Sequence, residues 1–297
     1  MQDTRLKHFS DFCRMKYLLS ILICFVFFSK VSAQGPNKDV EQKIDIVYTS
    51  KNNWEGRLDL YLPKLKSRNA LLIYVHGGGW THGKKEAEYE KFKVFIENGF
   101  AVANVEYRLA YQAPAPAAVE DVHCAIMYLL NNAKNFRIDP EKIILMGGSA
   151  GAHLALMAGL QSSNPVFTGD CGSGSFRVAA IISKYGPTDL LTWRPATAKE
   201  SASSSWLGKH RTDTAFIKSM SPVNYVPGRK IPVLFIHGDQ DKTVPINQSR
   251  VLYEKLKQYG YPTELYEIKD GKHGNFGDKE TRKMNVKMLE FLSKHVR

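Results

Sequence analysis

Four short segments hold residues that together could run nucleophilic acyl transfer. Gly147-Gly148-Ser149-Ala150-Gly151 follows the apolar run 142–146 and opens a helical pattern. A serine at such a strand-to-helix turn sits on strained backbone with its hydroxyl exposed, and small flanking residues let the turn close. The five-residue pattern alone is weak, because a glycine-rich turn can carry an idle serine; the strand before it and the helix after it sharpen the reading. His76-Gly77-Gly78-Gly79-Trp80 comes directly after the apolar run 71–75. Acyl transfer passes through a tetrahedral intermediate with a negative oxygen, and glycines let backbone amides approach that oxygen to ~3 Å. Gly78 and Gly79 are the candidate donors from this loop, joined by the amide of Ala150 at the helix start.

A serine hydroxyl is a poor nucleophile at neutral pH, so it needs a general base, and the base needs an orienting acid. Gly271-Lys272-His273-Gly274-Asn275-Phe276 follows the last strand pattern and supplies His273 as the base. His237-Gly238-Asp239-Gln240-Asp241-Lys242-Thr243-Val244-Pro245 offers two carboxylates. Asp241 is preferred because it lies further beyond the strand end; Asp239 is the alternative. The order Ser149, Asp241, His273 is the chain order of a nucleophile-elbow hydrolase. His76, His123, His153 and His237 fall in or beside predicted strands and helices and read as structural, whereas His82, His210 and His295 read as surface residues.

The elements that must position these groups alternate along the chain. Apolar runs predict strands at 57–62, 70–75, 101–107, 143–146, 179–183, 233–237 and 264–267, and helical patterns fall at 85–98, 117–132, 150–161, 246–259 and 279–295. Strands that are apolar throughout are expected where helices cover both faces of a sheet. The alternation therefore predicts an α/β fold with a mostly parallel, doubly wound sheet of about eight strands, in a single catalytic domain over 34–297. Residues 34–53 read as a polar lead-in. Residues 188–222 break the rhythm with a serine run and two tryptophans, and read as a small cap over the site or as a surface loop. Trp193 and Trp206 would then stand near the mouth, stacking a sugar or aromatic ring, or else serve as ordinary packing.

The N-terminus reads as an address. Lys16, the apolar run 18–28 and Val31-Ser32-Ala33 before Gln34 have the layout of a cleaved export signal over residues 1–33, with Met1 or Met15 as the start. The run is about 11 residues against the ~20 needed to span a bilayer, so stable membrane insertion after cleavage is not expected. The expected location is secreted or periplasmic. The formal charge of +12 falls to about +9 on cleavage, scattered over the surface rather than in a stripe, and no nucleic-acid-binding motif is present. Cys124 and Cys171 remain, as a disulfide or as buried thiols. No Cys or His cluster has zinc spacing, so neither a metal nor another cofactor is expected.

The motifs HGGGW, EYRLAYQAPAPAAVED, GGSAG, HGDQDKTVP and GKHGNF, spread over about residues 56–295, resemble the α/β-hydrolase esterases related to hormone-sensitive lipase, especially their bacterial carbohydrate-esterase-like branch. The resemblance implies Ser149, Asp241 and His273 as a catalytic triad with Gly78, Gly79 and Ala150 as oxyanion donors. Two departures lead away from the lipase side: Glu106 stands where Asp usually precedes Tyr-Arg-Leu, and Gly148 precedes the nucleophile where Asp or Glu is common. Both, with Trp80, point toward the branch similar to acetylxylan, feruloyl and kynurenine-formamide hydrolases. The expected activity is hydrolysis of short-acyl or feruloyl esters, on a small molecule or a polysaccharide, through an acyl-enzyme. A prolyl-oligopeptidase-like peptidase, a small-amide hydrolase and a non-catalytic binding protein are the alternatives.

Overall fold

The computed structural model describes residues 39–64, 68–193 and 201–296. The expected export signal lies outside them, and so does the 194–200 part of the expected cap. Eight strands form one sheet: β1 (Val40–Lys51), β2 (Trp54–Pro63), β3 (Asn69–Val75), β4 (Ala101–Val105), β5 (Ile138–Gly148), β6 (Ala180–Lys184), β7 (Val233–Gly238) and β8 (Thr263–Ile268), in the spatial order β1-β2-β4-β3-β5-β6-β7-β8. β2 runs antiparallel to β1 and β4, and every other pair is parallel.

Helices cover both faces: α1 (Tyr89–Glu97), α2 (Ala117–Asn131), α3 (Ala150–Leu160), α7 (Asn247–Gln258) and α8 (Gly277–His295). The side-chain period of two splits each central strand between two cores. Leu71, Ile73 and Val75 of β3 join α2 and α3 on one face, while Leu72 and Tyr74 join α1 and α8 on the other. Every residue of α3 is buried, which suits a helix wedged between the sheet and its neighbours.

Two expectations need correction. Residues 40–51 are not a lead-in but the edge strand β1, whose register against β2 gains an extra residue between Lys43 and Ile46. Asp45 sits there with φ 57° and its amide bonds to Asp59, so the strand is bent and half solvated, and its Ile44, Ile46 and Tyr48 alternation is diluted by polar neighbours. The helix expected from 85 begins instead at Tyr89. Lys85 forms a short 3₁₀ turn with its amine buried against Asp45, Asp59 and Glu86. That ion cluster pulls the chain onto the β1–β2 edge before the helix can start.

Candidate active site

β3 leads into a crossover to β4 on one side and β5 into a crossover to β6 on the other, so their C-terminal ends diverge and leave a crevice, the usual ligand site of such sheets. The glycine motifs meet there. A Cβ on Gly151 would fall 2.0 Å from the Val75 carbonyl oxygen, and one on Gly147 would fall 2.3 Å from the carbonyl carbon of Gly151, so only hydrogen fits where strand, turn and helix converge. Ser149 is thereby forced to φ 55° and ψ −122°, a conformation that costs about 1–3 kcal/mol and persists only when its surroundings impose it. The Ser149 amide donates to the Lys184 carbonyl at 2.9 Å and the helix takes the Ser149 carbonyl through His153.

The structure brings the three predicted polar residues into one chain of hydrogen bonds. Ser149 Oγ lies 2.9 Å from His273 Nε2, and His273 Nδ1 lies 2.7 Å from Asp241 Oδ2. Asp241 and not Asp239 touches the histidine; the Asp239 amide is tied back to Ile268 of β8. The Asp241 side chain is fully buried, and its Oδ1 accepts the amides of Thr243 and Val244 at 2.8 and 2.9 Å. Burial pushes its carboxyl up, but hydrogen bonds from His237, His273 and Val244 outweigh it and hold the group well below the usual carboxylate range.

Two partners escaped the sequence reading. His237 was expected to be structural, yet its Nε2 stands 3.3 Å from Asp241 Oδ2 as well as 2.8 Å from the Val244 carbonyl. A carbonyl can only accept, so Nε2 carries the proton and is shared between the two oxygens, while Nδ1 accepts from Ser249 Oγ at 2.8 Å. The four-residue spacing of His237 and Asp241 was visible, but not that the loop folds back on its own strand. Tyr185, with φ 43°, packs edge-on against His273 at 4.8 Å between centroids. A Cβ on Gly148 would lie 2.8 Å from its hydroxyl, so Tyr185 occupies the space into which a larger residue at 148 would grow.

Gly78, Gly79 and Ala150 line the same cavity of about 470 Å³ as Ser149 and His273. Gly78 has φ 113°, and a Cβ there would fall 1.9 Å from the His82 carbonyl oxygen, so the loop can close only with glycine. Thr81 and His82 amides close it by donating to the Gly78 carbonyl, and no backbone carbonyl among the described residues accepts the Gly78 or Gly79 amide. Behind the loop, His76 stacks on Tyr107 and His153 stands edge-on to Trp80 and Trp206. Burial pushes the His153 pKa down to about 4 despite its hydrogen bond to the Met220 carbonyl, so it is a neutral packing residue.

Among the described residues of 188–222 are the short α-helices α4 (Leu190–Trp193), α5 (Ala202–Leu207) and α6 (Thr214–Ser219). Trp193 lines the cavity and donates its indole N–H to the Thr243 carbonyl on the Asp241 loop. Trp206 does not reach the mouth: it is fully buried, stacked on Trp80 at 4.7 Å and 13°. Only Trp193 of the two can face a ligand.

A larger hollow of about 600 Å³ opens at the opposite, N-terminal edge of β6 and β7. It holds Ser175, Glu141 and His295, but these share no hydrogen bond; Glu141 pairs with Arg177 and His295 packs on Phe291. The smaller cavity, by contrast, is lined by the hydrogen-bonded Ser149 and His273. Among the described residues no group of three His, Cys, Asp or Glu is placed to hold a metal ion.

Comparison with known proteins leads to esterases. Esterase LipQ of Mycobacterium tuberculosis is 30% identical over 243 residues, 78% of this chain and 57% of LipQ; the chain spans about half the length of the curated relatives it matches. Among solved structures, a truncated carbohydrate esterase from gut microbiota aligns with TM-score 0.74 and 27% identity over 88% of this chain and 100% of its own. The butyrate-bound esterase Est2 of Thermogutta terrifontis aligns with TM-score 0.71 and 26% identity over 86% and 94%. The BD-FAE family model matches residues 58–256, and the chain accordingly belongs to the BD-FAE family, on an α/β-hydrolase fold.

Proposed function

We propose that the protein is an exported serine esterase that removes short-acyl or feruloyl groups from carbohydrate through an acyl-enzyme. The observation that carries the reading is the unbroken chain Ser149 Oγ, His273, Asp241 beside a loop whose amides are free to bind an oxyanion. His273 takes the Ser149 proton as Oγ bonds to the ester carbonyl carbon. The carbonyl oxygen becomes the oxyanion, held by the amides of Gly78, Gly79 and Ala150. Asp241, ionised across the physiological range, fixes the imidazole tautomer and stabilises its cation. The carbonyl re-forms as the C–O bond to the alcohol breaks, and the alcohol leaves with the proton from His273. Water then attacks the acyl-Ser149 carbonyl with His273 again as base, releasing the acid and restoring the hydroxyl.

The carbohydrate side of the reading is supported by the gut carbohydrate esterase among its structural neighbours and by the ring of Trp193 in the cavity wall. The short-acyl side is supported by the neighbour that holds butyrate. Export is supported by the disulfide described below, which suits an oxidising compartment. A fluorophosphonate probe should label Ser149, and Ser149→Ala should lower kcat by roughly 10⁴- to 10⁶-fold on p-nitrophenyl acetate. An unlabelled protein, or a variant with near-full activity, would refute the mechanism; acetylated xylan and methyl ferulate then rank the acyl groups.

A further inference from the structure

One cation close to Ser149 has no use in that mechanism. Lys184 ends β6, its carbonyl holds the Ser149 amide, and its side chain turns into the core on the α1–α8 side. It is 2% exposed. Its Nζ stands 5.7 Å from the centre of the Tyr74 ring, and among the described residues no carboxylate lies within ion-pairing distance. The acid whose field reaches it, Glu88, is already engaged at 2.7 Å by the Tyr74 hydroxyl. Burial, helped by Lys91, pushes the Lys184 pKa down to about 8.

A buried charge without a counter-charge is costly unless something pairs with it. Lys184 lines a cavity of about 60 Å³ with Lys91, Tyr185 and Gly274, and the last three also line the nucleophile cavity, so the two spaces adjoin. That volume suits one carboxylate or two waters. Glu90 and Lys91 line the small cavity but are both exposed to solvent, which screens their charges, and Glu88 on the wall of the nucleophile cavity has its carboxylate engaged by the Tyr74 hydroxyl, so Lys184 is the buried charge of the small cavity.

We propose that Lys184 and Lys91 form an anion subsite beside the nucleophile, and that the preferred substrates are esters carrying a carboxylate, such as acylated uronic acids. The inference rests on the esterase reading and specifies its substrate class. The Lys184 amine donates to the carboxylate at the inner end, and Lys91 covers the passage between the two cavities.

The test compares kcat/KM within two matched pairs, because either half of the ester can carry the charge. One pair is p-nitrophenyl hydrogen glutarate against p-nitrophenyl pentanoate; the other is an acetylated methyl galacturonoside against the acetylated methyl galactoside. In at least one pair the charged member should be preferred by about tenfold or more, the worth of one charge-assisted hydrogen bond. In Lys184→Met that ratio should fall to near one. Thermal unfolding checks the fold of the variant, which should melt no lower than wild type because an unpaired buried charge has been removed; Lys184→Gln carries the same comparison should the methionine variant not fold. Ratios near one in both pairs for the wild type, or a preference that survives in Lys184→Met, would overturn the subsite. Absence of hydrolysis of any of these esters overturns the esterase reading instead, so the two failures are distinct.

Discussion

Asp241 is served by more donors than orienting one imidazole requires. Two backbone amides take Oδ1, while His273 and His237 share Oδ2. Each donor fixes the carboxylate more firmly and spreads its charge. Replacing His237 by Phe removes one donor and leaves the Val244 carbonyl and Ser249 hydroxyl without their partner. At about 1.5–3 kcal/mol for a hydrogen bond to a charged group, kcat should fall roughly 10- to 100-fold with little change in KM. With the His237 hydrogen bond gone, burial acts on Asp241 with less opposition and its carboxyl protonates at a higher pH than before, so the acid limb of the kcat/KM profile should move to higher pH. A profile that stays in place while only stability drops would reduce His237 to a packing residue. The proposed nucleophile, base and acid were legible because each lies in a local pattern with its own turn chemistry. The second contact on Asp241, the Tyr185 wall and the burial of Trp206 were not, since each depends on chain segments far apart in sequence meeting across the crevice.

The strand-to-helix junctions carry the geometry from element to site. Gly151, the second residue of α3, packs against the C-terminal end of β3, and the tolerance there is set by backbone atoms that cannot move independently of the sheet. Gly151→Ala should therefore destabilise the protein by more than about 3 kcal/mol or prevent its accumulation as folded material. Gly174→Ala, whose new methyl would meet only the flexible tip of Met127 at 3.3 Å, serves as the tolerated control in the same thermal-unfolding measurement. Equal melting temperatures would mean that the junction relaxes more readily than its contacts imply. The central elements were readable from sequence for the same reason that they are rigid: strands covered on both faces leave uninterrupted apolar runs. β1 and the start of α1 were not readable. One is a bulged edge strand half in water, and the other is delayed by Lys85, whose ion partners on β1 and β2 outweigh local helix preference.

Across the whole molecule, the disulfide joins α2 to the loop after α3, closing a separation of 47 residues. Loop-closure entropy assigns such a link about 4 kcal/mol. Reduction, or a Cys124→Ala and Cys171→Ala double variant, should lower the melting temperature by several degrees while leaving esterase kcat largely intact, since the bond lies away from the crevice. An unchanged melting temperature would show that α2 and the loop hold each other without it. α4 and α5 are fastened differently, by aromatic stacking: Trp206 of α5 lies face to face with Trp80 of the glycine loop, and Trp193 of α4 meets Trp80 edge-on at 6.1 Å. Indoles this close couple in their excited states, so three of the chain's four tryptophans respond together across α4, α5 and the glycine loop. Their near-ultraviolet circular dichroism and emission colour depend on α4 and α5 being seated on that loop, and the protein thus carries its own optical gauge of whether the Trp193 wall of the cavity is in place.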